Sequence, residues 1–127
     1  MTIREEMTKR RLFFDGGMGT MLQERGLAGG ELPELWNLTH PEAIRDIHAQ
    51  YLAAGSDIIS TNTFGANALK MAGTSHSVEE IITAGVSLAR EAVDACGRKA
   101  YVALDIGPTG KLLRPYGDLD FEEAVAR

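Results

Sequence analysis

Cysteine is almost missing from this 127-residue chain: Cys96 is the only one. An intrachain disulfide is therefore excluded, and nothing points to an oxidising compartment. Long apolar runs are missing too; none approaches the ~20 residues needed to cross a bilayer as a helix. The opening MTIREEMTKRR carries charges of both signs and no apolar stretch, so it does not read as a signal peptide. A cytoplasmic location, away from membranes, is the resulting expectation. Excess positive charge is also lacking, since 13 Lys and Arg face 18 Asp and Glu for a formal net charge of -5. General nucleic-acid or anionic-membrane binding needs a basic face; the pairs Arg10-Arg11 and Arg98-Lys99 read instead as solvated surface.

What remains is an ordinary globular composition, 44% hydrophobic and 24% charged, at a length suited to one domain. Residues 1–10 read as a polar leader. Leu12-Phe13-Phe14 then forms an apolar, aromatic run halted by Asp15 and glycine, which suits a buried strand. A short helix is predicted over 18–25, followed by a loop through GLAGGELPE. In THPEAIRDIHAQYLAAG, Thr39 and Glu42 stand at capping-box spacing, with Pro41 in the first turn. Ile44, Ile47, Tyr51 and Leu52 follow as an amphipathic stripe, and Gly55 supplies the stop. DIIST reads as a second buried strand. Ser77 and Glu80 repeat the capping spacing, before a helix bearing Ile81, Ile82, Gly85, Val86, Leu88, Ala89 and Val93 that closes at Gly97. AYVALDIG supplies a third strand, and a final helix starts with Asp120 as its cap. Apolar strands alternating with amphipathic helices indicate an α/β fold, a parallel sheet covered by helices.

Ligands of such folds bind at the carboxyl ends of the strands. Those ends are Asp15-Gly16-Gly17, Thr61-Asn62-Thr63 and Asp105-Ile106-Gly107. Glycines at 16 and 17 allow close backbone approach, and a helix beginning near Met18 offers N–H donors to an anion such as a carboxylate. Asp15 beside them would favour an ammonium group, so the turn suits the zwitterionic head of an amino acid. A tight strand-to-helix turn that merely needs glycine is the competing reading. Thr61, Asn62 and Thr63 either hydrogen-bond a small ligand or satisfy loop backbone; Asp105 is open in the same way. The turn lacks the Lys-Ser/Thr of a P-loop and the G-x-G-x-x-G spacing. His40, His48 and His76 lack metal-ligand spacing and read as surface or capping residues. Cys96 reads as a packed or idle thiol, and Trp36 as a core anchor or lid contact.

DGGMGTMLQERG, ELWNLTHPEAIRDIHAQYLAAGSDIISTNTFGAN and DIGPTG, in that order, resemble the N-terminal part of the homocysteine S-methyltransferase family. The likeness is greatest to the homocysteine-binding module of its cobalamin-dependent members and runs from about Arg11 to the last residue. It implies a (β/α)8 TIM barrel in which homocysteine binds at the strand carboxyl ends and zinc holds its sulfur as a thiolate. In cobalamin-dependent members the methyl group comes from methylcobalamin, recharged by methyltetrahydrofolate on another module. Carried onto this sequence, the substrate-binding residues are Asp15, Gly16, Gly17, Met18, Thr61, Asn62 and Thr63.

The family's zinc ligands are cysteines late in the barrel, and Cys96 corresponds to none of them. A (β/α)8 barrel needs ~250 residues, so residues 11–127 are expected to be about three βα units of one, carrying the head-group side of the site and inactive alone. Three parallel strands leave an apolar edge, to be covered by the remainder of the barrel, a second chain or self-association. The alternative function is a non-catalytic half-barrel that binds a small amino acid or serves as an assembly module.

Overall fold

A computed structural model describes residues 2–127. The leader is not featureless: Ile3–Lys9 forms a helix, α1. Thr2 caps it, its hydroxyl accepting from Glu5 N–H at 3.3 Å while the Glu5 carboxylate accepts from Thr2 N–H at 2.8 Å.

The first expected strand is reduced to a parallel bridge between Phe14 and Ile58. The Phe13 carbonyl accepts from Asp57 N–H and Ile58 N–H, and Asp15 N–H donates to the Ile58 carbonyl. Its burial differs from expectation, since Phe13 and Phe14 are 61% and 60% exposed. They lie on the edge of the sheet with which no further strand pairs among the described residues. Strand β1 (Ile58–Ser60) pairs in parallel with β2 (Tyr101–Ala103), Ile58 opposite Tyr101 and Ser60 opposite Ala103. The order across the sheet is thus residues 12–14, β1, β2.

Between the first two segments run α2 (Gly19–Glu24), a 3-10 turn (Pro33–Leu35), α3 (Trp36–Thr39) and α4 (Pro41–Ala53). The expected cap at Thr39 is not formed. Thr39 ends α3 and its hydroxyl bonds the Leu35 carbonyl and His40 Nδ1, while His40 sits at the N-cap of α4 with its side chain making no bond to the helix N–H groups. Pro41, with φ already suited to a first helical turn, starts α4 without that help. Between β1 and β2 lie α5 (Ala68–Met71), capped by Asn67, and α6 (Val78–Ala95), capped by Ser77. Ser77 accepts from Glu80 N–H, but the Glu80 carboxylate turns to His76 instead of completing the box. The last helix, α7 (Phe121–Ala126), has Asp120 at its N-cap by backbone only, because the Asp120 carboxylate pairs with Arg114 at 3.1 Å.

Helices α4 and α6 pack on each other and on the sheet. Leu22, Leu27, Trp36, Ile44, Ile47 and Leu88 form one buried cluster; Leu52, Ile59, Ala89, Ala92, Val93 and Ala100 form the other. His48 is not a surface residue: it is fully buried, and neither ring nitrogen has a hydrogen-bond partner among the described residues. Its position explains this, four residues from both Ile44 and Leu52 on the packed face of α4. Trp36 is a core anchor, stacked on His40 and donating to Glu31 at 2.6 Å. Among the described residues no helix is long and apolar enough to cross a membrane.

Candidate functional site

The three strand ends come together at one end of the sheet. From the first, Asp15 reaches across to β1, where its carboxylate accepts from Ser60 N–H at 2.9 Å. Half-burial raises the Asp15 pKa, and the nearby Asp105 charge adds to that; the Ser60 bond opposes it. The turn that follows is fixed from the side by α4. Tyr51 donates its hydroxyl to the Gly17 carbonyl at 2.6 Å, and a Cβ at Gly16 would fall 2.9 Å from that same oxygen. A side chain at 16 would therefore have to push the Tyr51 ring aside. Among the described residues, the backbone N–H groups of Gly16, Gly17 and Met18 donate to no protein acceptor. Met18 stands at the N-cap of α2, with its side chain turned into the core around Leu22 and Trp36.

At the second strand end, Thr61, Asn62 and Thr63 are all buried, and their side-chain donors are engaged. Thr63 Oγ1 donates to the Asp105 carbonyl at 2.7 Å, which uses its only proton. The 2.7 Å contact between the two hydroxyls therefore runs from Thr61 to Thr63, and Thr61 Oγ1 in turn accepts from Asp105 N–H at 3.1 Å. Both threonines tie the exit of β1 to the exit of β2. Asn62 points the other way, toward the 3-10 turn and α3: its Nδ2 donates to the Pro33 carbonyl at 2.8 Å and to Asn37 Oδ1 at 3.0 Å.

At the third end, Gly107 lies against Phe64, where a Cβ would overlap the Phe64 carbonyl. Two loops pass there with no room for a side chain. The Asp105 backbone is consumed by the threonines, whereas its half-buried carboxylate is left at the rim with that of Asp15. Sequence reasoning missed Tyr51, Asn37 and Glu34 as supports of this region. Tyr51 carried a signal, a phenol within an otherwise aliphatic stripe; the other two carried none, because their partners lie 25 to 44 residues away.

The donor set for zinc is not formed here. Among the described residues no three His, Cys, Asp or Glu side chains are grouped to hold a metal ion. Cys96 sits at the C-cap of α6, its thiol against the Arg98 carbonyl at 3.3 Å, away from the strand ends.

Residues 12–127 match the family model described as homocysteine S-methyltransferase. The chain belongs to that family. It is 34% identical over 119 residues to the methionine synthase of Mycobacterium tuberculosis, a stretch of 84% of this chain and 10% of that relative. It is also similar to crystal structures of the homocysteine methyltransferase MmuM from Escherichia coli. The metallated form superimposes with a TM-score of 0.75 at 27% identity, covering 85% of this chain and 42% of that one. The oxidised form gives 0.72 at 28%, covering 85% and 41%. The chain thus spans about two-fifths of these solved relatives and a tenth of the curated one.

Proposed function

We propose that this stretch forms the head-group side of a homocysteine pocket in a methyltransferase that makes methionine, and that its parallel strands are the first three of a (β/α)8 barrel. The observation that carries the reading is the meeting of Asp15 with Ser60 and of Thr61 and Thr63 with Asp105, which gathers all three strand ends on one side. The unpartnered N–H groups at Gly16, Gly17 and Met18 suit the substrate carboxylate, and the Asp15 carboxylate suits its ammonium. Thr61, Asn62 and Thr63 serve this pocket as its wall: their side-chain hydrogen bonds hold the wall in place, and the exposed surface left to the ligand is small.

In the whole domain zinc would be held by cysteines outside this stretch and would hold the homocysteine sulfur as a thiolate, a reading that the family membership supports. Methylcobalamin would supply the methyl group, recharged by methyltetrahydrofolate, if the parent protein is of the methionine synthase type. The residues here do not form that metal site, so the isolated chain is inactive in methyl transfer yet retains a weak affinity for the amino-acid head. The exposed Phe13, Phe14, Leu104 and Ile106 mark where the remaining βα units, or another chain, complete the barrel. Residues 1–10 stand outside the domain as a leader. A soluble, cytoplasmic protein fits this role.

Titration calorimetry of the 127-residue chain with homocysteine, alongside a zinc-supplemented methyl-transfer assay, tests the reading. Heat of binding without turnover is expected. No binding of homocysteine, or robust turnover by the chain alone, contradicts it.

A further inference from the structure

The exit loop of β1 is held from outside the sheet by a buried cluster in which Asn62 is joined by two residues outside the strand-end motifs, Glu34 and Asn37. Asn37 and Asn62 face each other with every amide hydrogen placed. Asn37 Nδ2 donates to the Asn62 carbonyl at 2.8 Å and to the Ile81 carbonyl in α6 at 3.2 Å. Asn62 Nδ2 returns a bond to Asn37 Oδ1 and a second to Pro33. One turn earlier, Glu34 Oε1 accepts from Gly65 N–H at 2.7 Å. Glu34, Asn37 and Asn62 are each at most 5% exposed. Such a network is costly unless satisfied, and of its fully buried side-chain atoms only Glu34 Oε2 lacks a partner among the described residues. Helix α6 makes room for it: a Cβ at Gly85 would fall 2.9 Å from both Asn37 Nδ2 and Thr63 Cγ2. Glycine is disfavoured inside a helix, so its presence there follows from this packing.

We propose that Glu34 and Asn37 are positioning residues for the pocket: together they fix the loop from Asn62 to Gly65, and through it the Thr61 to Thr63 wall, before ligand arrives. The inference rests on the head-group reading for its functional meaning, but the clamp itself is testable without substrate. Neither residue touches the ligand. They act through backbone placement, which decides how well a pocket is organised in advance.

Native-state hydrogen exchange of the full chain, read at residues 61–67 against α4 as internal reference, tests it. Glu34→Leu removes the acceptor for Gly65, and Asn37→Asp sets a carboxylate oxygen against two carbonyls. Each is expected to speed exchange of the loop by roughly tenfold or more with α4 changed by less than about twofold. Glu34→Gln keeps an acceptor and is expected to hold loop protection within about threefold of native. Unchanged loop exchange in the first two variants overturns the proposal. So does equal damage from Glu34→Gln, or exchange of α4 rising in step with the loop, which would make the cluster a support of the whole fold. Where native chain binds homocysteine, Asn37→Asp weakens that binding by about tenfold. Failure of the native chain to bind homocysteine sinks the head-group reading and leaves the clamp to be judged on exchange alone.

Discussion

Tyr51 donates its hydroxyl to the carbonyl of Gly17, and the same ring fills the space that a side chain at Gly16 would occupy. One residue of α4 thereby sets both the position and the composition of the turn at the first strand end. Burial, followed by the charge of Asp15, raises the Tyr51 pKa, which keeps the phenol a donor. Tyr51→Phe removes one hydrogen bond and nothing else. A loss of about 1 kcal/mol in homocysteine affinity, roughly fivefold in Kd, is expected by calorimetry. Gly16→Ala should be worse, because the turn and the ring must separate.

Asp15 is held in a fold that disfavours its charge. A carboxyl whose folded pKa is raised subtracts stability as pH rises from the usual carboxylate range through the folded value, and the penalty persists at pH 7. Asp15→Asn keeps an oxygen for Ser60 N–H and removes the charge. The melting temperature at pH 7 should therefore rise, while affinity for homocysteine falls as the ammonium loses its counter-charge. A variant that melts lower and binds unchanged contradicts both halves.

His48 gives a pH dependence of the opposite sense. Burial lowers its pKa from 6.5 to about 4, so the folded chain holds it neutral while the unfolded chain protonates it first. Its contribution is fully present above about pH 6.5 and is lost as pH falls toward 4, a span of roughly 3 kcal/mol. Thermal melts at pH 7 and pH 4.5 should differ by several degrees in the native chain and by much less in His48→Leu. Asp57 titrates in a separate window: its pKa is lowered by the Phe13 N–H bond first and by Arg10 and Arg98 as well, so its stabilisation fades only below about pH 4.

Much of the fold was legible because it is written in local periodicity. The stripe Ile44, Ile47, Leu52 and the run from Ile81 to Val93 placed the two long helices, and their glycine stops held. Cap assignments were less secure where two residues compete: Thr39 had the right chemistry, but Pro41 fixed the helix start one residue later. The burial of His48 was readable from its spacing to Ile44 and Leu52 and was overlooked. The strand-end residues were found, yet the direction of their side chains was not, since Thr61 and Thr63 turn on a partner 42 to 44 residues away. No local pattern encodes that.

Asp57 anchors the opposite end of β1. Its carboxylate accepts from Phe13 N–H at 3.0 Å and from Arg10 at 3.1 Å, with Arg98 at 3.7 Å. Asp57→Ala should cost about 1–3 kcal/mol of stability by denaturant unfolding. It should leave the ratio of native to Tyr51→Phe affinity for homocysteine unchanged, because the two sites share no partner.

That separation divides the strand into two territories. Only Ile58, Ile59 and Ser60 lie between the Asp57 anchor and the Thr61 exit, so each end is governed by its own partners. Recognition loops at the upper rim can be rebuilt, by evolution or by library selection, while the ionic lashing beneath keeps the scaffold assembled.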